Sequence, residues 1–426
     1  MRGVSGVAVA VLLLAAGPVS AQAGDRSSCS LDRPVWYGSD AMRDGARSWD
    51  GGRRDDPECV QAFAGWMRAG WTSSYASSRP DGLAAPGVGA VASASGGFLI
   101  RRGALEVRVM PEVAWHQNAD VDIPASSFDD DRQYGYAWGN IDLPFRFGPD
   151  AFALIGPGRS GIRLHASTLS FGIDAEPVRW GPSRRYPLLL SGQQASLPRV
   201  GVRTERPIDL GGFGTIDFNL LYARLTPSEW FSASPVAENR LMAGLTVGWA
   251  PGFLPGLSVG FSSLHHQDLD EFEAGSAFRW LQSPAQDPED NSAGNGMGNA
   301  WIAWGDPDIG LEVWAEWMKD DYNRDLGLFL LEPEKGSGRT LGLRQIVDAG
   351  DGTLSFHLET ASTRNSRPGT TDDDGVRGVV YTHGQVREGH TQRGQLLGAI
   401  VGPGGDGQFL EVAWSEASRT AVQIER

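Results

Sequence analysis

The feature that most constrains this chain is a two-residue alternation of apolar and polar side chains, sustained from about Gly89 onward. Successive side chains of a strand point to opposite faces, so a period of two marks a strand with one apolar face. In Gly214–Tyr222, Ile216, Phe218, Leu220 and Tyr222 alternate with Thr215, Asp217, Asn219 and Leu221. Leu241, Ala243, Leu245, Val247 and Trp249 alternate with Met242, Gly244, Thr246 and Gly248. Leu105, Val107 and Val109 alternate with Glu106 and Arg108, and Leu354, Phe356 and Leu358 with Ser355, His357 and Glu359. Ile309, Leu311, Val313, Ala315 and Trp317 face away from Glu312, Trp314 and Glu316. The fold class read from this pattern is all-β and antiparallel.

The N-terminus argues for export. Arg2, an apolar core from Val7 to Ala16 and Ala21-Gln22-Ala23 read as a signal peptide over residues 1–23, with Val19-Ser20-Ala21 an equally good cleavage site. No later apolar run reaches the roughly 18 residues of a membrane-spanning helix. Export makes Cys29 and Cys59 a disulfide candidate. Closing that loop would be worth about 3–4 kcal/mol in chain-entropy terms. Residues 24–85 read as a helical segment and linker. A weak helix is expected over Ser39–Trp49. A clearer one follows Asp55-Asp56-Pro57 and runs to Trp71, with Val60, Phe63, Ala64, Met67 and Trp71 at helical spacing. Residues 86–426 read as the β-domain.

An exported chain with strands long enough to cross a bilayer at a tilt points to an outer-membrane β-barrel rather than a soluble sandwich. The faces opposite the apolar ones carry charged and small polar residues suited to a hydrated lumen. Trp115, Trp249, Trp301, Trp304, Trp317 and Trp414 fall near strand ends, where an aromatic girdle would lie. Short turns such as Arg101-Arg102-Gly103 and Ala349-Gly350-Asp351-Gly352 alternate with long acidic loops. The formal charge of −15 argues against nucleic acid, which needs a positive face.

Motifs for chemistry are weak. Gly256-Leu257-Ser258-Val259-Gly260 matches a nucleophile elbow but sits inside a continuing strand pattern with no following helix. His265-His266 with Asp268, Asp270, Glu271 and Glu273 lacks the spacing of a dedicated cation loop. Gly402-Pro403-Gly404-Gly405-Asp406-Gly407 reads as a hairpin turn. No residue is assigned to catalysis, a metal or a cofactor. Arg179, Arg184 and Arg185 with Trp180 and Tyr186 form the densest arginine–aromatic group. It suits either contact with an acidic polysaccharide or a buried ladder against lumen carboxylates such as Asp142.

Three segments go further. Ile141-Asp142-Leu143-Pro144-Phe145-Arg146-Phe147-Gly148 leads into Gly158–Leu164. Arg179-Trp180-Gly181-Pro182-Ser183-Arg184-Arg185-Tyr186-Pro187-Leu188-Leu189-Leu190-Ser191 continues to Leu197-Pro198. Thr382-His383 precedes Gly389-His390-Thr391-Gln392-Arg393-Gly394-Gln395-Leu396-Leu397-Gly398. In this order and spacing, over residues 140–415, they resemble the capsule assembly Wzi family of outer-membrane proteins. The resemblance implies an antiparallel barrel of about 18 strands, its periplasmic mouth plugged by a small helical bundle. It also implies a lectin-like, non-enzymatic role in attaching capsular or extracellular polysaccharide to the cell surface. Outer-membrane lipids and the barrel-assembly machinery are the other expected partners. The chain departs from the pattern in ending Val422-Gln423-Ile424-Glu425-Arg426, without a terminal aromatic residue. The rival readings are a porin or glycan channel and an outer-membrane lipid hydrolase.

Overall fold

A computed structural model describes residues 58–72, 82–84, 87–123, 141–231, 239–270, 294–320, 336–350, 352–364, 380–384, 386–415 and 419–425. In chain order the strands are β1 (Glu58–Thr72), β2 (Gly89–Arg102), β3 (Leu105–Val109), β4 (Glu112–His116) and β5 (Phe152–Gly156). Next come β6 (Gly161–Ala166), β7 (Leu169–Asp174), β8 (Arg199–Thr204), β9 (Ile208–Asp209) and β10 (Thr215–Leu225). Then follow β11 (Arg240–Ala250), β12 (Leu257–Asp268), β13 (Gly294–Asp306), β14 (Leu311–Asp320) and β15 (Ser337–Ala349). The last five are β16 (Gly352–Ser362), β17 (Thr391–Gln392), β18 (Gln395–Leu396), β19 (Asp406–Ser415) and β20 (Arg419–Glu425). Eighteen of them form one sheet; β17 and β18 pair separately.

Every strand-to-strand ladder is antiparallel, and the order is a meander from β1 to β20. β3 and β4 both pair with β2, and β8 and β9 both pair with β10, so each is one stave broken in two. β5 and β6 likewise continue one another, pairing with β4 and β3. The sheet therefore has fewer staves than strands.

The alternation resolves into an outside and an inside. Ile155, Ile173, Phe261, Ile302, Leu341 and Leu358 are among the exposed apolar side chains, while Glu106, Arg163, Ser262, Asn299, Glu316 and Glu359 are buried behind them. That is the arrangement of a barrel in lipid, greasy without and polar within. An 11-residue strand such as β11 is about 36 Å long and, tilted, crosses an apolar band of about 25 Å. Trp71, Trp115 and Trp317 lie on the outer face as a girdle requires. Trp301 does not: it is buried inside the barrel.

Connections at one end of the barrel are tight, as between β2 and β3 or β15 and β16, where Gly103 and Gly350 take φ values of +54° and +57°. At the other end they are long, and three of them fold inward.

Two sequence expectations are corrected here. Residues 56–71 were expected to be helical, but Glu58–Thr72 is a strand paired with β2 along its length. A register shift between Phe63 and Trp66 explains the misleading spacing. The bulge reverses the parity, so Val60 before it and Met67 and Trp71 after it all face outward, seven and four residues apart. The strand also lies in the sheet, ahead of the boundary expected at residue 86. The signal peptide, the helix over Ser39–Trp49 and Cys29 lie outside the described residues, and the disulfide with Cys59 with them.

An arginine introduced on the outer face should expose the solvent that this face meets. Leu358→Arg, at the middle of β16, is expected to lower unfolding stability in lipid vesicles by about 2–4 kcal/mol, read from denaturant titration of the reconstituted barrel.

Candidate functional site: a plug at the loop end

The long connections 117–151, 175–198 and 363–405 do not simply cap the barrel; parts of each enter it. Leu188, Leu189, Leu190, Leu197, Tyr381 and Leu397 are fully buried and pack on wall residues including Leu221, Met242, Leu264, Met297 and Met318. The hydrated lumen expected from sequence is therefore an apolar core at this end. The opposite wall of the interior keeps the expected charge. There Arg101 and Arg108 meet Glu106 at 2.7 and 3.2 Å, Arg199 meets Asp174 at 2.5 Å, and Arg163 also pairs with Asp174.

Two wall carboxylates hold the central segment. Glu316 accepts the Ser183 N–H at 2.7 Å and, at 3.4 Å, the Leu188 N–H. Glu359 accepts the N–H groups of Arg184, Arg185 and Tyr186 at 3.1, 3.1 and 2.6 Å. Pro182 and Pro187 have no N–H to give, so each amide from 183 to 188 that exists is directed at a carboxylate. Such charge-assisted bonds are roughly twice as strong as neutral ones, and several amides converging on one anion form a nest. The Trp-Gly-Pro sequence follows from this packing. Gly181 has φ +90°, and a Cβ there would lie 2.5 Å from a Glu316 oxygen.

The five residues singled out for polysaccharide contact are brought together in this wall of the plug. Trp180 and Tyr186 are each 1% exposed. Arg185 stacks over the Phe409 ring at 5.1 Å, and Arg184 approaches Glu312 at 3.8 Å. Arg179 bridges to Ser191. The carboxylate partner expected for them, Asp142, serves elsewhere: it accepts the Ser228 N–H and hydroxyl at 2.6 and 2.5 Å and the Gly394 N–H at 3.2 Å.

The third motif segment ties the loops to one another. Gln395 accepts the Ala195 N–H and Gln392 the Thr226 N–H, at 2.7 and 2.8 Å. Arg240, wholly buried on β11, donates to the carbonyls of Gly389 and Thr391. His390 donates from Nε2 to the Leu189 carbonyl at 2.6 Å, since a carbonyl only accepts. Its Nδ1 therefore accepts the His266 Nε2–H at 2.9 Å, and both rings are neutral. Tyr381 donates its hydroxyl to the Leu188 carbonyl at 2.8 Å and accepts the Ala399 N–H at 3.0 Å. Sequence reasoning found the motif segments but missed Glu316, Glu359, Arg240 and Asn118. The last donates its side-chain amide to the carbonyls of Phe147 and Gly148 at 2.9 and 2.8 Å.

On the outer side of the plug, Arg393 is exposed and its N–H donates to the Thr226 carbonyl. Trp230 lies over Gly148, where a Cβ would meet its ring at 2.3 Å. Arg146 pairs with Asp120 at 2.5 Å. This surface places the exposed Arg393 and the half-buried Trp230 at the loop end, with Arg146 tied to Asp120.

Other motifs resolve simply. Ser258 is buried in β12 with its hydroxyl 3.5 Å from the Ala303 carbonyl, in continuous strand rather than at an elbow. His265, His266 and Asp268 belong to β12, and Glu271 and Glu273 lie outside the described residues. No group of three or more His, Cys, Asp or Glu side chains placed to hold a metal occurs among the described residues.

No protein-family model matches the chain, and no curated protein matches it in sequence. Solved structures do. Wzi, an outer-membrane protein involved in group 1 capsule assembly in Escherichia coli and a carbohydrate-binding β-barrel, aligns with a TM-score of 0.54 at 13% identity, over 89% of this chain and 72% of its own. Pseudomonas aeruginosa OccK7 (OpdD) gives 0.33 at 12% identity, over 70% and 69%. A mutant of the Rh. blastica porin gives 0.31 at 9%, over 86% and 98%. The likeness to Wzi shows a shared fold, that of an outer-membrane β-barrel.

Two outcomes follow from the plug. Glu359→Gln leaves three amides facing a neutral acceptor and should loosen the segment by about 2–3 kcal/mol. Trypsin should then cut after Arg184 or Arg185 in the folded variant barrel, sites protected in the parent. The second concerns pH. Burial pushes His390 down to about 4, assisted by the Arg240 charge and opposed by the bond to Leu189. Burial pushes Asp142 up to about 6 against its Ser228 bonds. Between pH 6.5 and 4 unfolded His390 binds the proton and the folded ring does not, so its contribution is lost on acidification. Asp142 does the reverse between about 6 and 4, and its contribution is gained. Relative to the parent, Asp142→Asn should lose stability over this window and His390→Gln should gain it, by roughly 2 kcal/mol each, in urea titrations at pH 7 and 4.5.

Proposed function

We propose that the protein is an outer-membrane barrel that holds an acidic capsular or extracellular polysaccharide at the cell surface and neither conducts nor cleaves it. The observation that carries this reading is the plug: the interior at the loop end is occupied by a hydrogen-bonded apolar core, which suits a platform better than a pore. Long loops of such barrels face outward, so the plug's upper surface meets the medium. The likeness to a carbohydrate-binding barrel of capsule assembly supports the choice of ligand. On a chain of net charge −15, an acidic polymer needs local cations; the exposed Arg393 provides one, and Trp230 an aromatic ring on which a pyranose can stack. Arg179, Trp180, Arg184, Arg185 and Tyr186 belong to the plug segment that Glu316 and Glu359 hold. Export by a signal peptide and insertion by the barrel-assembly machinery precede this role, and Ser258 has no catalytic part.

The test is retention of labelled capsular polysaccharide by the purified barrel in detergent. Arg393→Ala with Trp230→Ala is expected to weaken retention at least tenfold while heat-modifiable gel migration stays that of a folded barrel. Ohmic conductance of porin size in planar bilayers, with unaltered retention in the double variant, would replace this reading with the channel.

A further inference from the structure

The wall steps down at β7, which no further strand continues, whereas β5 continues β6 and β9 continues β8. β6, β7 and β8 have six residues each, about 20 Å of strand, where β10 to β13 have 11 to 13. Above Asp174 and Arg199 the chain leaves the wall for the plug. On the outer face of this short sector the side chains fall into register rows. Ile162, Ile173, Val200 and Tyr222 are cross-strand neighbours, and Phe171 and Leu220 belong to the next row toward the tight turns. Together these rows line a groove of about 490 Å3 that is almost wholly apolar. Ile173 is 67% exposed, so nothing in the described protein covers it.

Two cations stand at the loop-side margin of the groove. Arg224 follows Tyr222 on the outward face of β10, one row beyond the lining. Arg159 lies in the kink between β5 and β6, beside Ser160, whose carbonyl accepts the Ala175 N–H at the same level. Both are exposed, and neither enters an ion pair among the described residues. The rows span three interstrand spacings, so the staves that carry the two arginines lie about 14 Å apart.

An apolar trough open to hydrocarbon and bounded toward one leaflet by forked cations matches a lipid whose head group carries phosphate. We infer that this sector is a binding site for a phosphorylated lipid of the outer leaflet, with an acyl chain in the groove and phosphate at Arg159 and Arg224. The leaflet, but not the groove, rests on the orientation adopted in the proposed function.

The experiment is native mass spectrometry of the full chain in detergent, titrated with diphosphoryl lipid A, its phosphate-free counterpart, or phosphatidylcholine. The parent is expected to hold diphosphoryl lipid A at least tenfold more tightly than either comparator. Arg159→Gln with Arg224→Gln should remove that preference, and the corresponding lysine pair should keep most of it. Val200→Trp, filling the groove, should weaken all three lipids. Heat-modifiable migration confirms that each variant is folded. Equal binding of the phosphate-free lipid by the parent, or parental affinity in either the glutamine pair or Val200→Trp, overturns the inference. Polysaccharide retention measured on the same samples separates the two proposals: its loss with lipid binding intact overturns the surface-holding role alone.

Discussion

The interior of this barrel is organised by two carboxylates that receive backbone amides instead of side-chain cations. Glu316 and Glu359 come from β14 and β16, and between them they take the N–H groups of residues 183 to 186 and 188. A buried carboxylate left alone would be costly, and so would five unpaired amides. Each problem is the other's solution. With that segment fixed, Leu188 to Leu190 are presented to the wall, and Tyr381 and His390 find the carbonyls of Leu188 and Leu189. The apolar core of the loop end is therefore a consequence of a polar anchor.

This anchor explains how a chain of barrel-like composition comes to have an apolar interior against one wall and a charged one against the other. The charged wall formed by Arg101, Glu106, Arg163, Asp174 and Arg199 satisfies itself across neighbouring strands. It needs no inserted segment. The wall from β11 to β16 instead offers Met242, Leu264, Met297 and Met318 with isolated carboxylates between them, and such a surface must be covered. The loops that carry the three motif segments are the ones that cover it.

Much of the barrel was legible because its signal is local. Period two in β3, β10, β11, β14 and β16 assigns faces correctly residue by residue, as the exposure of Val109, Val313 and Leu358 bears out. β1 was not legible, because one bulge converts a period of two into gaps of seven and four that read as helix. Trp301 was placed in the girdle by its position near a strand end, whereas its parity turns it inward over Gly260. The plug was visible only as motif segments. Its fastenings are backbone amides on Glu316 and Glu359, more than a hundred positions away in the chain, and a lone glutamate on a polar strand face gives no hint of such a partner. The arginine–aromatic group was left open between a ligand contact and a buried ladder, and its Trp180 and Tyr186 rings lie in the core.

The break between β7 and β8 has a mechanical corollary. The segment from Ala175 to Pro198 departs from the barrel wall near the loop end of β10 and returns there, hydrogen-bonded at both ends through Ala175 to Ser160 and Arg224 to Pro198. A stopper sewn into the cylinder's own seam cannot be drawn out like a cork. Withdrawing that segment would mean unstitching two staves, so it is built to stay in place.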